Sequence, residues 1–128
     1  MKTYYENDFA TYSLFLDIVY VYYKSKLTIT REAARVIVYD RLLFQNDTSY
    51  PVLCDITDVY YITQGARTYF ALQGSLLTQA IAIVCKTTAK QFMAEYFIRV
   101  ENPVIETRLF SNESLALDFL EHFKKNVL

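Results

Sequence analysis

Pro51-Val52-Leu53-Cys54-Asp55-Ile56 decides the fold. The run is apolar on both alternating faces until Asp55, so neither face suits water. A strand of this kind is buried on both sides, as in a parallel sheet covered by helices. Pro51 suits the strand start, where its missing amide hydrogen matters least. Gln79 to Cys85 is a second run of the same kind. Between the two, Thr57 to Ile62 reads as a loop. Thr63 caps a helix through about Leu72, and Gly74 ends it.

The pattern extends in both directions. Upstream, Phe9 to Leu16 and Ile18 to Lys24 read as a β-hairpin turning near Asp17. The turn has neither Gly nor Asn-Gly, so its register stays open. Thr30 caps a helix that runs to about Phe44, with Glu32 at its positive end. Downstream, Thr88 caps a third helix. Its Ala89, Phe92, Met93, Tyr96, Phe97 and Val100 recur at spacings of three and four and form one apolar face. Asn102-Pro103 stops that helix, and Glu106 to Phe110 is a short strand. Ser111-Asn112 starts a last helix with the face Leu115, Ala116, Phe119, Leu120, Phe123 and Val127, and Lys124 and Lys125 suit its final turn. The expected order is ββαβαβαβα, an α/β sandwich with a mixed sheet, an N-terminal antiparallel hairpin and about four helices. No repeat or linker divides it, so one domain is expected over residues 1–128.

Composition excludes several function classes. Of 128 residues, 53% are hydrophobic and 21% charged, which argues against disorder. Thirteen basic residues face fourteen acidic ones, a balance that disfavours a nucleic-acid binder. One His and two Cys cannot build the usual structural zinc site, and no metal or other cofactor is expected. No apolar run reaches the ~18 residues of a membrane span. Met1 to Asp8 lacks a basic region followed by an apolar stretch, so no signal peptide is expected. Cys54 and Cys85 read as buried thiols, and a cytoplasmic location follows.

Pro51 to Val59, with its strand ending in Asp55, its loop and its capped helix, resembles STAS domains. These have the SpoIIAA-like fold of the bacterial anti-sigma-factor antagonists. The likeness is greater to short bacterial STAS-like proteins sharing a Pro-Val-Leu-x-Asp-Ile strand and an Ala-Arg-x-Tyr-Phe-Ala helix, here Ala66 to Ala71. They also share a Leu-Phe strand end, here Leu109-Phe110, before an amphipathic last helix. In STAS switches a Ser at the start of the helix after that loop is phosphorylated, and the added charge alters partner binding. Here the aligned positions hold Thr63 and Gln64, so the usual phosphoserine switch is not carried over. The resemblance implies a non-catalytic regulatory module in bacteria.

Candidate sites follow from the strand ends. Asp55 and Asp58 lie where open α/β sheets place ligands. Asp55 equally suits a loop-fixing role through its own backbone. Thr57, Thr63 and Gln64 with Arg67, and Lys86, Thr87 and Thr88, lead into two helix N-termini. Their free amides and positive charge suit an anion or an acidic partner side chain. His122, the only His, falls beside the last apolar stripe, and no catalytic residue is assigned. Twelve Tyr and nine Phe are present. Tyr20, Tyr22 and Tyr23 on the second strand suit an interface, since Tyr pairs apolar area with a polar tip. The leading expectation is a homo-oligomeric interaction module, a dimer first, with an unknown protein partner. The alternative is a small apolar or anionic ligand-binding domain, and an enzyme comes third.

Overall fold

The computed structural model describes residues 3–124; Lys125 and Val127, expected on the last helix, lie outside the described residues. The chain opens with β1 (Tyr4–Glu6), β2 (Ala10–Phe15) and β3 (Ile18–Tyr23). A short β4 (Thr28–Ile29) precedes α1 (Arg31–Gln45). Then come β5 (Tyr50–Asp55), β6 (Tyr61–Ile62), α2 (Gln64–Leu72) and β7 (Thr78–Val84). The chain continues through α3 (Thr88–Tyr96), β8 (Thr107–Phe110) and α4 (Glu113–Glu121). Apart from β1, β4 and β6, this is the expected alternation.

Six strands form one sheet in the order β1-β2-β3-β5-β7-β8. The first three pair antiparallel, and β3, β5, β7 and β8 run parallel. Each parallel step moves to the next strand in the same direction. Crossovers of one hand therefore place α1, α2 and α3 on one face. The last helix, α4, returns across the other face over β5, β7 and β8.

The hairpin turn is a two-residue loop, with Phe15 opposite Ile18. Leu16 and Asp17 both take left-handed backbone, at φ 48° and 64°. That twist matches the strands, but Leu is a poor residue for it. Leu16 is 69% exposed, so no burial compensates.

Three helix starts agree with the sequence. Thr30, Thr63 and Asn112 each accept an amide hydrogen of their own first turn. Four local expectations need correction. Thr88 does not cap α3: Thr87 holds that position, and its side chain makes no capping bond. Gly74 does not end α2 in left-handed backbone; it sits in a 3-10 turn, Gln73–Ser75. The segment 57–62 is not wholly a loop, because β6 pairs in parallel with β4. Nor does the third helix present one continuous face. It tightens into a π-turn at Phe97–Glu101, and Phe92, Tyr96 and Val100 face solvent while Ala94 is buried. A π-turn adds a residue and rotates the face that follows it.

Leu16→Asn should raise the unfolding free energy by about 1 kcal/mol, because Asn tolerates left-handed backbone. Urea unfolding measures this, and a loss of stability would contradict the strained-turn account.

Candidate functional site

The ends of β5 and β7 are adjacent, so the loops that follow them meet. Asp55 accepts the Thr57 amide at 2.9 Å, fixing the loop through its own backbone. The Thr57 hydroxyl accepts from the Lys86 amide at 3.3 Å, and the Thr57 carbonyl takes the Lys90 ammonium at 2.6 Å. Lys86, Thr87 and Thr88 are exposed, as are Asp58 and Gln64.

Many donors at this mouth already have partners. The Thr63 amide bonds to Ile29, the Ala66 amide to the Thr63 hydroxyl, and Tyr60 and Tyr61 to Leu27. Arg67 pairs with Glu101 at 3.4 Å, bonds to the Ile62 carbonyl at 2.6 Å and lies 5.5 Å from the Tyr96 ring centroid. The expected cluster is thus brought together, with its two loops joined mainly by bonds to each other and to residues 26–29. Open α/β sheets place ligands where the strand order reverses, and β3-β5-β7-β8 contains no reversal.

The three interface tyrosines divide between the two sheet faces. Tyr20 and Tyr22 stack at 6.3 Å on the α4 side, and the Tyr22 hydroxyl donates to Glu113 at 3.0 Å. Tyr23 points to the other side, its ring 6.3 Å from that of Phe70. His122 is exposed at the end of α4.

A cavity of about 80 Å³ lies between the sheet and the helix layer. Val21, Val52, Ile81 and Ile83 line it from the strands; Ile37, Phe70, Met93 and Phe97 line it from the helical side. It is mostly apolar, with Tyr23, Cys54, Arg41 and Arg67 also in the wall. A cavity lined through Phe92 and Tyr96 was expected for a ligand binder. The lining residues are instead Met93, Ala94 and Phe97.

Arg41 and Gln45 were missed by the sequence reading. Arg41 is only 5% exposed. It donates to the Gln45 side-chain carbonyl, to the Gly74 carbonyl at 3.1 Å and to the Leu76 carbonyl at 3.0 Å. Gln45 donates in turn to the carbonyls of Thr48 at 2.9 Å and Leu77 at 2.8 Å. A signal was present: Ala34, Ile37, Val38, Arg41 and Gln45 follow one inward helical stripe, with polar residues where apolar ones belong.

Burial holds the Arg41 guanidinium below its ordinary range. Burial also pushes the Cys54 thiol up to about 11, while the Arg41 charge pulls the other way. The Tyr23 phenol rises well above its ordinary value for the same first reason, burial, with nearby Cys54 adding to it. Both groups are therefore neutral at pH 7.

Known proteins can now be set beside this geometry. Residues 12–124 match the family described as Domain of unknown function (DUF7793). Among curated proteins, none matches the sequence. The crystal structure of an uncharacterized protein from the DUF3478 family of Shewanella loihica PV-4, with a SpoIIAA-like fold, superposes with a TM-score of 0.59. That alignment covers 87% of this chain and 91% of the other at 15% identity, a likeness of fold.

Two measurements check the site. Gln45→Leu should cost about 2–3 kcal/mol, since it leaves buried carbonyls and an Arg41 N–H without partners; chemical denaturation reads it. Native Cys54 should resist alkylation at pH 8 yet react once unfolded. Its folded value near 11 exceeds the ordinary 9.0. The unfolded chain therefore loses this proton first, and its contribution to stability falls as pH rises from about 9 towards 11.

Proposed function

The chain belongs to the DUF7793 family, and on that footing we propose that it is a non-catalytic binding module that holds a small apolar molecule in the cavity beneath α1, α2 and α3. The cavity itself supports this reading. Protein interiors pack at crystal-like density and leave few voids larger than a water. An empty apolar space of 80 Å³ costs about 2 kcal/mol at ~24 cal/mol per Å³, a large fraction of a small domain's stability. Occupancy by an apolar molecule recovers that cost.

Xenon under pressure is the direct probe, because dry apolar cavities take it up. Methyl resonances of Val52, Ile81 and Ile83 should shift with saturation. Shifts confined to surface methyls would overturn the reading. Val52→Ile should stabilise the ligand-free protein by roughly 0.8 kcal/mol, the value of one buried methylene.

A second reading rests on the mouth. Tyr60 is 76% exposed, and Tyr61 beside it is also exposed. An apolar pair on a loop braced by β4 suits docking of a protein partner, a second copy first. Under that reading the protein is a cytoplasmic regulatory module that works by surface contact rather than by the usual phosphoserine. Tyr60→Ser should leave stability within about 0.5 kcal/mol while dissociating any dimer seen by sedimentation. An unchanged sedimentation profile would remove the mouth as the interface.

A further inference from the structure

Two arginines reach the cavity wall, and they differ in one respect. Arg67 has a carboxylate partner in Glu101. Arg41 has none: its bonds run through Nη1 and Nη2 to neutral oxygens. No carboxylate among the described residues lies within ion-pair distance of it. Neither Asp nor Glu lines the cavity. A guanidinium keeps its charge at any ordinary pH, and a buried charge is normally paired.

We propose that the cavity takes a short monocarboxylate, its carboxylate facing Arg41 and its apolar body against Ile81, Ile83 and Phe97. This rests on the reading of the cavity as a binding site and adds the chemical class of the ligand. The charge count favours a monoanion, because Arg67 is already balanced. An inorganic anion would lose its hydration among apolar side chains and gain one cation in return. A carboxylate with a hydrocarbon body meets both parts of the wall. The neutral Tyr23 hydroxyl and Cys54 thiol in the same wall add hydrogen-bond donors. Size sets the other limit. One water needs about 10–15 Å³ of such a cavity, so the space takes roughly six waters, or a molecule of about six non-hydrogen atoms. Butyrate has that size.

The test is a titration of the full chain with butyrate, followed by backbone amide resonances. Butyramide, the neutral near-isostere, and octanoate are titrated in parallel. Butyrate should bind at least tenfold more tightly than butyramide and shift the amides of Val21, Cys54 and Ile83. Ile83→Phe, which fills the cavity and leaves Arg41 in place, should abolish those shifts. Arg41→Met should remove the preference for the acid over the amide. If that variant does not fold, the butyrate–butyramide comparison in the unaltered protein decides alone. Equal binding of acid and amide inside the cavity would overturn the carboxylate assignment and leave the apolar site standing. Tighter binding of octanoate than butyrate would overturn the size limit, pointing to the end of a longer acyl chain. Butyrate shifts restricted to residues 63–66 and 87–90 would place the anion at the mouth and overturn the proposal. Absence of cavity shifts with butyrate, butyramide and xenon alike would overturn the binding-site reading itself.

Discussion

Arg41 and Gln45 join the end of α1 to the connection between α2 and β7. Together they serve four backbone carbonyls, those of Thr48, Gly74, Leu76 and Leu77. That connection is hard to build from this sequence. Leu77 takes left-handed backbone at φ 55°, a conformation that suits Leu poorly, and Thr78 must then enter a buried strand. A buried carbonyl without a partner costs about 1–3 kcal/mol, so the bonds to this segment outweigh the strain at one residue. Gln45 also accepts from Arg41, which orients the guanidinium. The constraint that allows β7 to start where it does therefore also brings a positive charge to the cavity wall.

The cavity depends on how α3 ends. A regular helix would have carried Phe92, Tyr96 and Val100 inward on one stripe. The π-turn at Phe97–Glu101 breaks that repeat, and Asn102 closes it in left-handed backbone at φ 52°. Met93, Ala94 and Phe97 then face the sheet. Ala94 is small where the stripe called for a large residue, so the helix layer leaves space above Ile81 and Ile83. Tyr96 instead lies against Arg67, whose charge is taken up by Glu101 at the end of the π-turn.

The legible parts of the fold rest on local chemistry. Two doubly apolar runs, an aromatic hairpin and the caps Thr30, Thr63 and Asn112 each state their structure within a few residues. The α/β layering and the SpoIIAA-like fold follow from them. The parts that were not legible need partners far away in sequence. The β4–β6 pair spans two residues on each side and has no periodicity to detect. Thr87 and Thr88 are equivalent by composition, and packing of the loop on Thr57 decides between them. The candidate site was hidden for the same reason. Arg41 reads as a solvated helix charge until Gly74 and Leu76 are brought beside it from more than thirty residues away. The mouth cluster was legible as a location, but its amides are bonded by residues 26–29, which no strand-end rule includes.

The two faces of the sheet explain why the space lies on one side only. Along β7, Ala80, Ala82 and Val84 point towards α4, whereas Ile81 and Ile83 point towards the three-helix layer. Small side chains on the sheet and Ala116 on the helix let α4 pack closely, and all of them are buried. The opposite layer must fit three helices over four parallel strands, and their crossovers all fall on that face. Helices carried there in succession cannot each adjust their height independently, because the strand spacing of about 4.8 Å is narrower than the 8–10 Å between packed helices. Long side chains such as Phe70, Met93 and Phe97 have to span the mismatch, and they meet around a space rather than fill it. A ligand site beneath α1, α2 and α3 is thus a consequence of winding every crossover onto one face, while a sheet wound on both faces would have opened its crevice at the mouth.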